Sequence, residues 1–500
     1  MRSAGHRPQG RNNLLRKGDL VNAIPTTGST DRLPFRTKFS FGFGALAESL
    51  SLYSFGALVT LFYNQVLGME IWMAGLAPTI AMFTDALSDP LMGSFSDRFR
   101  SKRWGRRHPF MLLAALPIAV SFLCIFNPPD LQGWALFAWL TFWAISLRTF
   151  MTVYHVPHLA LGGELTRDYT ERSRVMSFNA LFNVFGGGAM FKINTLIFFA
   201  SSANFTNGLL NPAGYPPFAL TSAAIIFLVL LSSAWFTRDR IPYLSQPAGD
   251  QPGFSARAFY QDIVKAFSNR NYMFLMIAYI FLSLMQGVRM GLNTYVNIYF
   301  WELSSEDIGS LALTLTGGFV LGFFIAAKIH DLFDKRTAIV ITAASLALFP
   351  ALPVILRLLG LFPANDDPAL WWAIVAFGTP GAMSGAVLNI SVMSAVGDIA
   401  DEMELSHGVR QEGILYSARL FFAKLDSSLG QGLATMLLWI IAFPKEAKPG
   451  EVDPDIVFWL GVMESPMILP AGLLAAFFYG KYRIDKKRHE EIRAALAARQ

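Results

Sequence analysis

The chain has 500 residues, of which 53 % are hydrophobic and 15 % charged, against about 25 % charged in soluble domains. The deficit lies in repeated apolar runs of about 20 residues, the length that spans a bilayer, and these runs are continuous rather than alternating, which excludes a β-barrel. The formal net charge of +6 is not a nucleic-acid signal, because its bases gather in loops on one side of the apolar runs, and the single cysteine, Cys124, excludes an internal disulfide.

Residues 1–37 form a polar tail without the apolar core of a signal peptide, so a cytoplasmic N-terminal segment is expected. The apolar runs predict about twelve transmembrane helices, at 38–63, 71–95, 109–126, 133–159, 175–200, 217–237, 272–300, 307–327, 337–358, 369–396, 412–442 and 455–479. Loops 64–70, 127–132, 201–216 and 301–306 contain no Lys or Arg, whereas the alternate loops do, among them Arg98, Arg103, Arg106, Arg107, Arg172, Arg238, Lys265 and Lys335. The positive-inside rule then places both termini and the basic loops in the cytoplasm. The one mild exception is 443–454, where Lys445 and Lys448 are offset by Glu446 and Glu451. The polar stretch 238–271 divides the chain into an N-terminal bundle, 38–237, and a C-terminal bundle, 272–479, with a cytoplasmic tail at 480–500. The expectation is an all-α, multi-pass protein of the cell membrane, or of the inner membrane if bacterial, with lipid as its surroundings and no nucleic-acid partner.

Ionisable groups inside the spans carry the functional signal, because each costs roughly 2.5–3.5 kcal/mol near the bilayer centre. The acids are Glu48, Asp85, Asp89, Asp426 and Glu464; the bases are Arg148, Lys192, Arg289, Arg419 and Lys424. Asp85 and Asp89 stand four apart and so share a helix face, a natural place to hold a cation. Lys424 lies too deep in its span to snorkel easily and is expected to face an acid; Arg289 and Lys192 could snorkel to an interface. Glu464, beside Pro466, could reach the outer surface or cap a broken turn. A lysine between two carboxylates would compete with an entering cation, so that occupied and empty sites differ in charge and in conformational preference. His155 and His158 flank Pro157; no Cys and no nearby helical carboxylate completes a metal set, so a polar or proton-linked role or a structural one is expected. Pro90 and Pro157 are candidate helix breaks. The loop after the second span, Gly93 to Asp97-Arg98 and Gly105-Arg106-Arg107, is expected to hold a cytoplasmic gate. No paired His-Glu motif, nucleophile elbow or nucleotide loop supports an enzyme.

That loop resembles the signature of the major facilitator superfamily, whose fold is two six-helix bundles. Three ordered blocks resemble a narrower branch, the glycoside–pentoside–hexuronide cation symporters of melibiose-permease type. They are KFSFGFGA at 38–45; DALSDPLMG at 85–93 with RSKRWGR at 100–106; and Asp398, Asp401, Arg410, Tyr416 and Lys424 within 397–424. The vertebrate lysophospholipid symporter is similar to the same group. The resemblance implies that Asp85 and Asp89 bind the coupling cation (as its metal ligands if that ion is Na⁺), with Lys424 beside them and Thr152 offering a hydroxyl. Ser88 stands where the branch has an Asn ligand, which leaves H⁺ versus Na⁺ open. Ser49, preceded by Glu48, replaces the first-span sugar carboxylate, and His155 replaces a sugar-binding Asp, so galactoside recognition does not carry over. Candidate substrate contacts are Glu48, Arg148, His155, His158, Tyr416 and Arg419. Candidate gating residues are Asp97, Arg98, Arg106, Arg107, Asp398, Asp401 and Arg410. The expected function is symport of H⁺ or Na⁺ with a sugar, glycoside or uronide by a monomer that needs no cofactor, or else cation-coupled movement of an amphipathic lipid such as a lysophospholipid.

Overall fold

The computed structural model describes residues 32–99, 101, 103–166, 168–244, 256–407 and 412–498. The first bundle consists of α1 (Phe35–Leu61), α2 (Ile71–Arg98), α3 (His108–Phe126), α4 (Gly133–Glu164), α5 (Tyr169–Val184), α6 (Met190–Ile197) and α7 (Tyr215–Phe236). α5 and α6 form one crossing, joined by a π turn at Phe185–Ala189. α8 (Ala256–Ser268) lies on the connecting segment. The second bundle consists of α9 (Arg270–Tyr295), α10 (Ser305–Leu332), α11 (Lys335–Leu358), α12 (Ala369–His407), α13 (Glu412–Ile440), α14 (Pro454–Glu464) and α15 (Leu469–Tyr479), and α16 (Lys486–Ala497) follows it. α14 and α15 form a single crossing with a short break. Side-chain caps fix several starts: Asp168, Asn269, Ser304, Asp334, Asp453 and Asp485 each accept a backbone N–H of the helix they precede.

Among the described residues, eleven crossings are long and apolar enough to span a membrane. α13 is the crossing that hydropathy alone does not select, since it carries Arg419, Lys424, Asp426 and Gln431 in 29 residues. It is packed between α2 and α9, so its polar face meets protein rather than lipid. Elsewhere the outer surface is apolar, with Leu113 and Leu116 of α3, Phe142 of α4, Leu228 of α7 and Phe324 of α10 all exposed, as lipid requires and water would not tolerate over so large an area.

Three differences from the sequence expectation have physical causes. α12 runs on to His407, 39 residues or about 58 Å, because an apolar-run criterion measures membrane depth while the helix continues into water. The same reason carries α4 on to Glu164. Pro90 and Pro157 do not break α2 and α4, since neighbouring helices can support the freed backbone groups. The irregularities fall instead at π turns Phe62–Val66, Phe185–Ala189 and Val296–Phe300. In the second of these, Gly186 is required by close approach: a Cβ there would lie 2.2 Å from the Leu46 carbonyl oxygen of α1.

Candidate functional site

The site lies where α2 and α4 of the first bundle meet α13 of the second. Asp85 and Asp89 project from one face of α2, and on α4 Arg148 and Thr152 project at the same four-residue spacing. The Thr152 hydroxyl lies 2.6 Å from Asp85 Oδ1 and 2.9 Å from Asp89 Oδ1, so one proton serves two acceptors. Ser88 Oγ completes the cluster 3.2 Å from Thr152 Oγ1. Arg148 is ion-paired with Asp85. Lys424 crosses between the bundles to pair with Asp89, its Nζ also 3.2 Å from Asp85 Oδ2. Asp85 is 4 % exposed, whereas the Asp89 and Lys424 side chains are 26 % and 29 % exposed, and Lys424 lines a cavity. Two acids and two bases therefore balance, and a cation can share the carboxylates only by displacing a base. Lys424 is the more exposed of the two, so it is the one free to leave.

Beside this cluster Glu48 of α1 meets both imidazoles of α4: His155 Nδ1 at 2.6 Å and His158 Nδ1 at 2.7 Å. The histidine pair thus shares one carboxylate from another helix, and among the described residues no group that could hold a metal ion is formed. A cavity of about 330 Å³ is lined by Leu52, Phe55, Met82, Arg148, Gln286 and Lys424. Gln286 is shared with a second cavity of about 300 Å³ in the C-terminal bundle, which Arg419 lines. Arg419 stacks over Tyr279 at 4.8 Å and lies 3.4 Å from Asn389 Oδ1. Tyr416 is not brought to either cavity lining; its hydroxyl donates to the Met393 carbonyl. Arg289 does not snorkel: it donates to the Leu346 and Ala347 carbonyls with Glu464 3.6 Å away; Lys192 donates to the Glu306 carbonyl, in the first turn of α10. Glu464 correspondingly points inward, where the twelfth crossing breaks.

The candidate gating residues form two clusters, each within one bundle. Arg107 joins Asp97 at 2.5 Å, Glu164 at 2.9 Å and Ser96 at 2.7 Å, and Arg106 joins Glu164 at 2.7 Å, tying α2, α3 and α4 together. Asp398 pairs with Lys335 and accepts from the Tyr482 hydroxyl at 3.0 Å. Arg98 ends α2, and Asp401 lies one turn beyond Asp398 on α12. Arg410 and the side chain of Asp426 lie outside the described residues.

Sequence reasoning missed the ties between bundles at the opposite face. Tyr295 donates to Asn64 Oδ1 at 3.0 Å, Tyr299 to Gln65 Oε1 at 2.9 Å, and Gln65 to the Pro444 carbonyl at 2.8 Å. Asn207 reaches the Leu303 carbonyl at 2.8 Å, and Ser201 reaches Glu306 at 2.6 Å. The adjacent amides Asn64-Gln65 closing an apolar run, and two tyrosines four apart, were the available signals. Here α2 lies so close to α13 that a Cβ on Gly75 would meet Thr435 at 2.1 Å. Gly75→Ile is therefore expected to hold this face open. A Gln431→Cys reporter in the cavity should then label several-fold faster with an impermeant maleimide applied at the 67–70 loop side; an unchanged rate would show that the seam does not govern access.

A bundle-pair fold with its charged cluster at the seam defines a membrane transporter. The chain belongs to the family described as MFS/sugar transport protein, whose model matches residues 40–486. It is 24 % identical to a putative glycoside/cation symporter of Escherichia coli, covering 93 % of this chain and 95 % of that one. It is 22 % identical to the sodium-dependent lysophosphatidylcholine symporter 1 of Gallus gallus, covering 94 % and 90 %. Among solved structures it is similar to the inward-open xylose transporter XylE of Escherichia coli, with a TM-score of 0.56 at 16 % identity over 92 % of this chain and 98 % of that one.

Proposed function

We propose that this transporter is a secondary symporter in which entry of H⁺ or Na⁺ drives uptake of a sugar, glycoside or uronide by alternating access. The observation that carries the reading is Lys424 reaching from the second bundle to Asp85 and Asp89 in the first. Cation binding and bundle contact then use the same two carboxylates, so one changes the free energy of the other. The printed names of the relatives supply the substrate classes: glycoside with cation in one, lysophosphatidylcholine with sodium in another.

In this reading the basic loops and both termini face the cytoplasm. The inter-bundle ties described above then close the outer side, and the Arg107–Glu164 and Lys335–Asp398 clusters brace each bundle separately at the inner side. The second reading, an amphipathic lipid, is favoured by the apolar wall of Leu52, Phe55, Met82 and Met290 facing Arg148 and Lys424.

A thermal-shift panel on the purified chain separates the two. Glucose, xylose, methyl glucosides, glucuronate and lysophosphatidylcholine are each tested with Na⁺ present or absent and pH varied. A true ligand at 100 times its Kd contributes about 2.7 kcal/mol of stability. The symport reading expects one class to stabilise the protein, and more so with the coupling ion. Stabilisation by the lysolipid alone would replace the sugar reading, and ligand shifts independent of every cation would remove coupling.

A further inference from the structure

The contacts of His158 fix a proton count. Its Nε2 lies 2.9 Å from the Phe41 carbonyl oxygen, which can only accept, so Nε2 carries a hydrogen. Its Nδ1 lies 2.7 Å from Glu48 Oε1. With Nε2 protonated, a neutral imidazole presents a lone pair at Nδ1, and an ionised carboxylate presents another. A bond between them needs one more proton, held as imidazolium with carboxylate or as imidazole with carboxylic acid. Whichever atom holds it, the Glu48–His158 pair binds one proton that a separately solvated Glu and neutral His would not.

His155 supplies the route. Its Nδ1 lies 2.6 Å from the other oxygen, Glu48 Oε2, and its side chain is 43 % exposed while those of Glu48 and His158 are 5 % and 2 % exposed. One turn earlier on α4, Thr152 touches both Asp85 and Asp89. The other charges acting on His155 are Asp89 of α2 and Lys424 of α13. Tyr154 of α4 is a further ionisable neighbour of Glu48. Of the other helices packed on α1, α7 presents the hydroxyl of Ser233 beside Tyr154, and the α5 ion cluster is Lys38–Glu171–Arg174, at the end of the bundle.

We propose that Glu48 and His158 form a proton-binding site, loaded through the part-exposed His155 and distinct from the cation pair at Asp85 and Asp89. Its use as a second cargo site rests on the symport reading; the bound proton does not. Loss of the proton sets two lone pairs against each other at 2.7 Å and loosens the tie between α1 and α4.

Glu48→Gln tests this without removing the tie. The amide NH₂ donates to His158 Nδ1 and the amide oxygen accepts from His155, so the same geometry stands with one proton fewer. Infrared difference spectra of the purified full chain during an alkaline pH jump should show loss of a carboxyl or imidazolium band in wild type. That band should be absent from Glu48→Gln and present in Asp85→Asn/Asp89→Asn. A band common to wild type and Glu48→Gln, or one lost only in the Asp variant, would overturn the proposal. In proteoliposomes an imposed pH gradient should drive uptake of methyl glucoside or glucuronate in wild type and at least about tenfold less in Glu48→Gln, a difference of about 1.4 kcal/mol in coupling. Equal gradient-driven uptake in the two proteins would overturn the cargo role. If neither probe moves in wild type, proton-driven uptake of these sugars and with it the cargo role fail, while the spectra still decide the site.

Discussion

Asp85→Asn is expected to abolish uphill accumulation: in proteoliposomes with an imposed Na⁺ or H⁺ gradient, the substrate ratio across the membrane falls to about one. The change removes one negative charge from a cluster in which Asp85 and Asp89 balance Arg148 and Lys424. Arg148 loses its ion-pair partner, and an arriving cation now meets two bases and a single carboxylate. Removing one partner of a buried pair costs about 3–5 kcal/mol, so a thermal-stability loss should accompany the functional one. Asp85 should matter more than Asp89, because it is the buried member, bonded at once to Arg148, Thr152 and Lys424. Exchange of substrate down its own gradient is expected to survive, since it needs no net cation cycle. Full uphill uptake by a well-expressed Asp85→Asn protein would remove Asp85 from coupling.

Charge inside an apolar run made this cluster legible in the sequence. Asp85, Asp89 and Lys424 stand out because lipid makes each of them costly, and four-residue spacing is enough to put the two acids on one face. Spacing within a helix says nothing about which helix stands opposite, however. Arg148 was readable as an intramembrane base but not as the partner of Asp85, 63 positions away. Glu48 and the histidines lie 107 and 110 positions apart, so their union depends on how α1 packs on α4. The same limit hid the seal between Gln65 and Tyr299, made of neutral groups that hydropathy scarcely marks. α13 shows the converse. Its charges keep it out of the apolar-length criterion that the other crossings meet, yet one of them, Lys424, makes the contact across the seam. The fold class follows from apolar length, while the backbone irregularities did not fall at Pro90 or Pro157.

Lys424→Met keeps the length of the side chain and deletes its charge, which isolates the competitor from the tie. In the native cluster Lys424 pairs with Asp89 and stands 3.2 Å from Asp85, so a cation entering must move it. A unit-charge contact at about 4 Å is worth about 4 kcal/mol at an effective dielectric of 20. Even a third of that, about 1.4 kcal/mol, is tenfold in affinity. Apparent cation affinity, read by thermal shift against Na⁺ concentration or by pH titration, should therefore rise at least about tenfold in Lys424→Met. Coupled uptake should fall at the same time. With no lysine to replace the cation, the carboxylates keep it in both conformations, and release, not binding, limits the cycle. Cation affinity up with turnover down is a combination that simple misfolding does not produce. Unchanged cation dependence at normal expression would reduce Lys424 to a structural bridge between α2 and α13, and the two carboxylates would then need another way to connect ion occupancy to bundle movement.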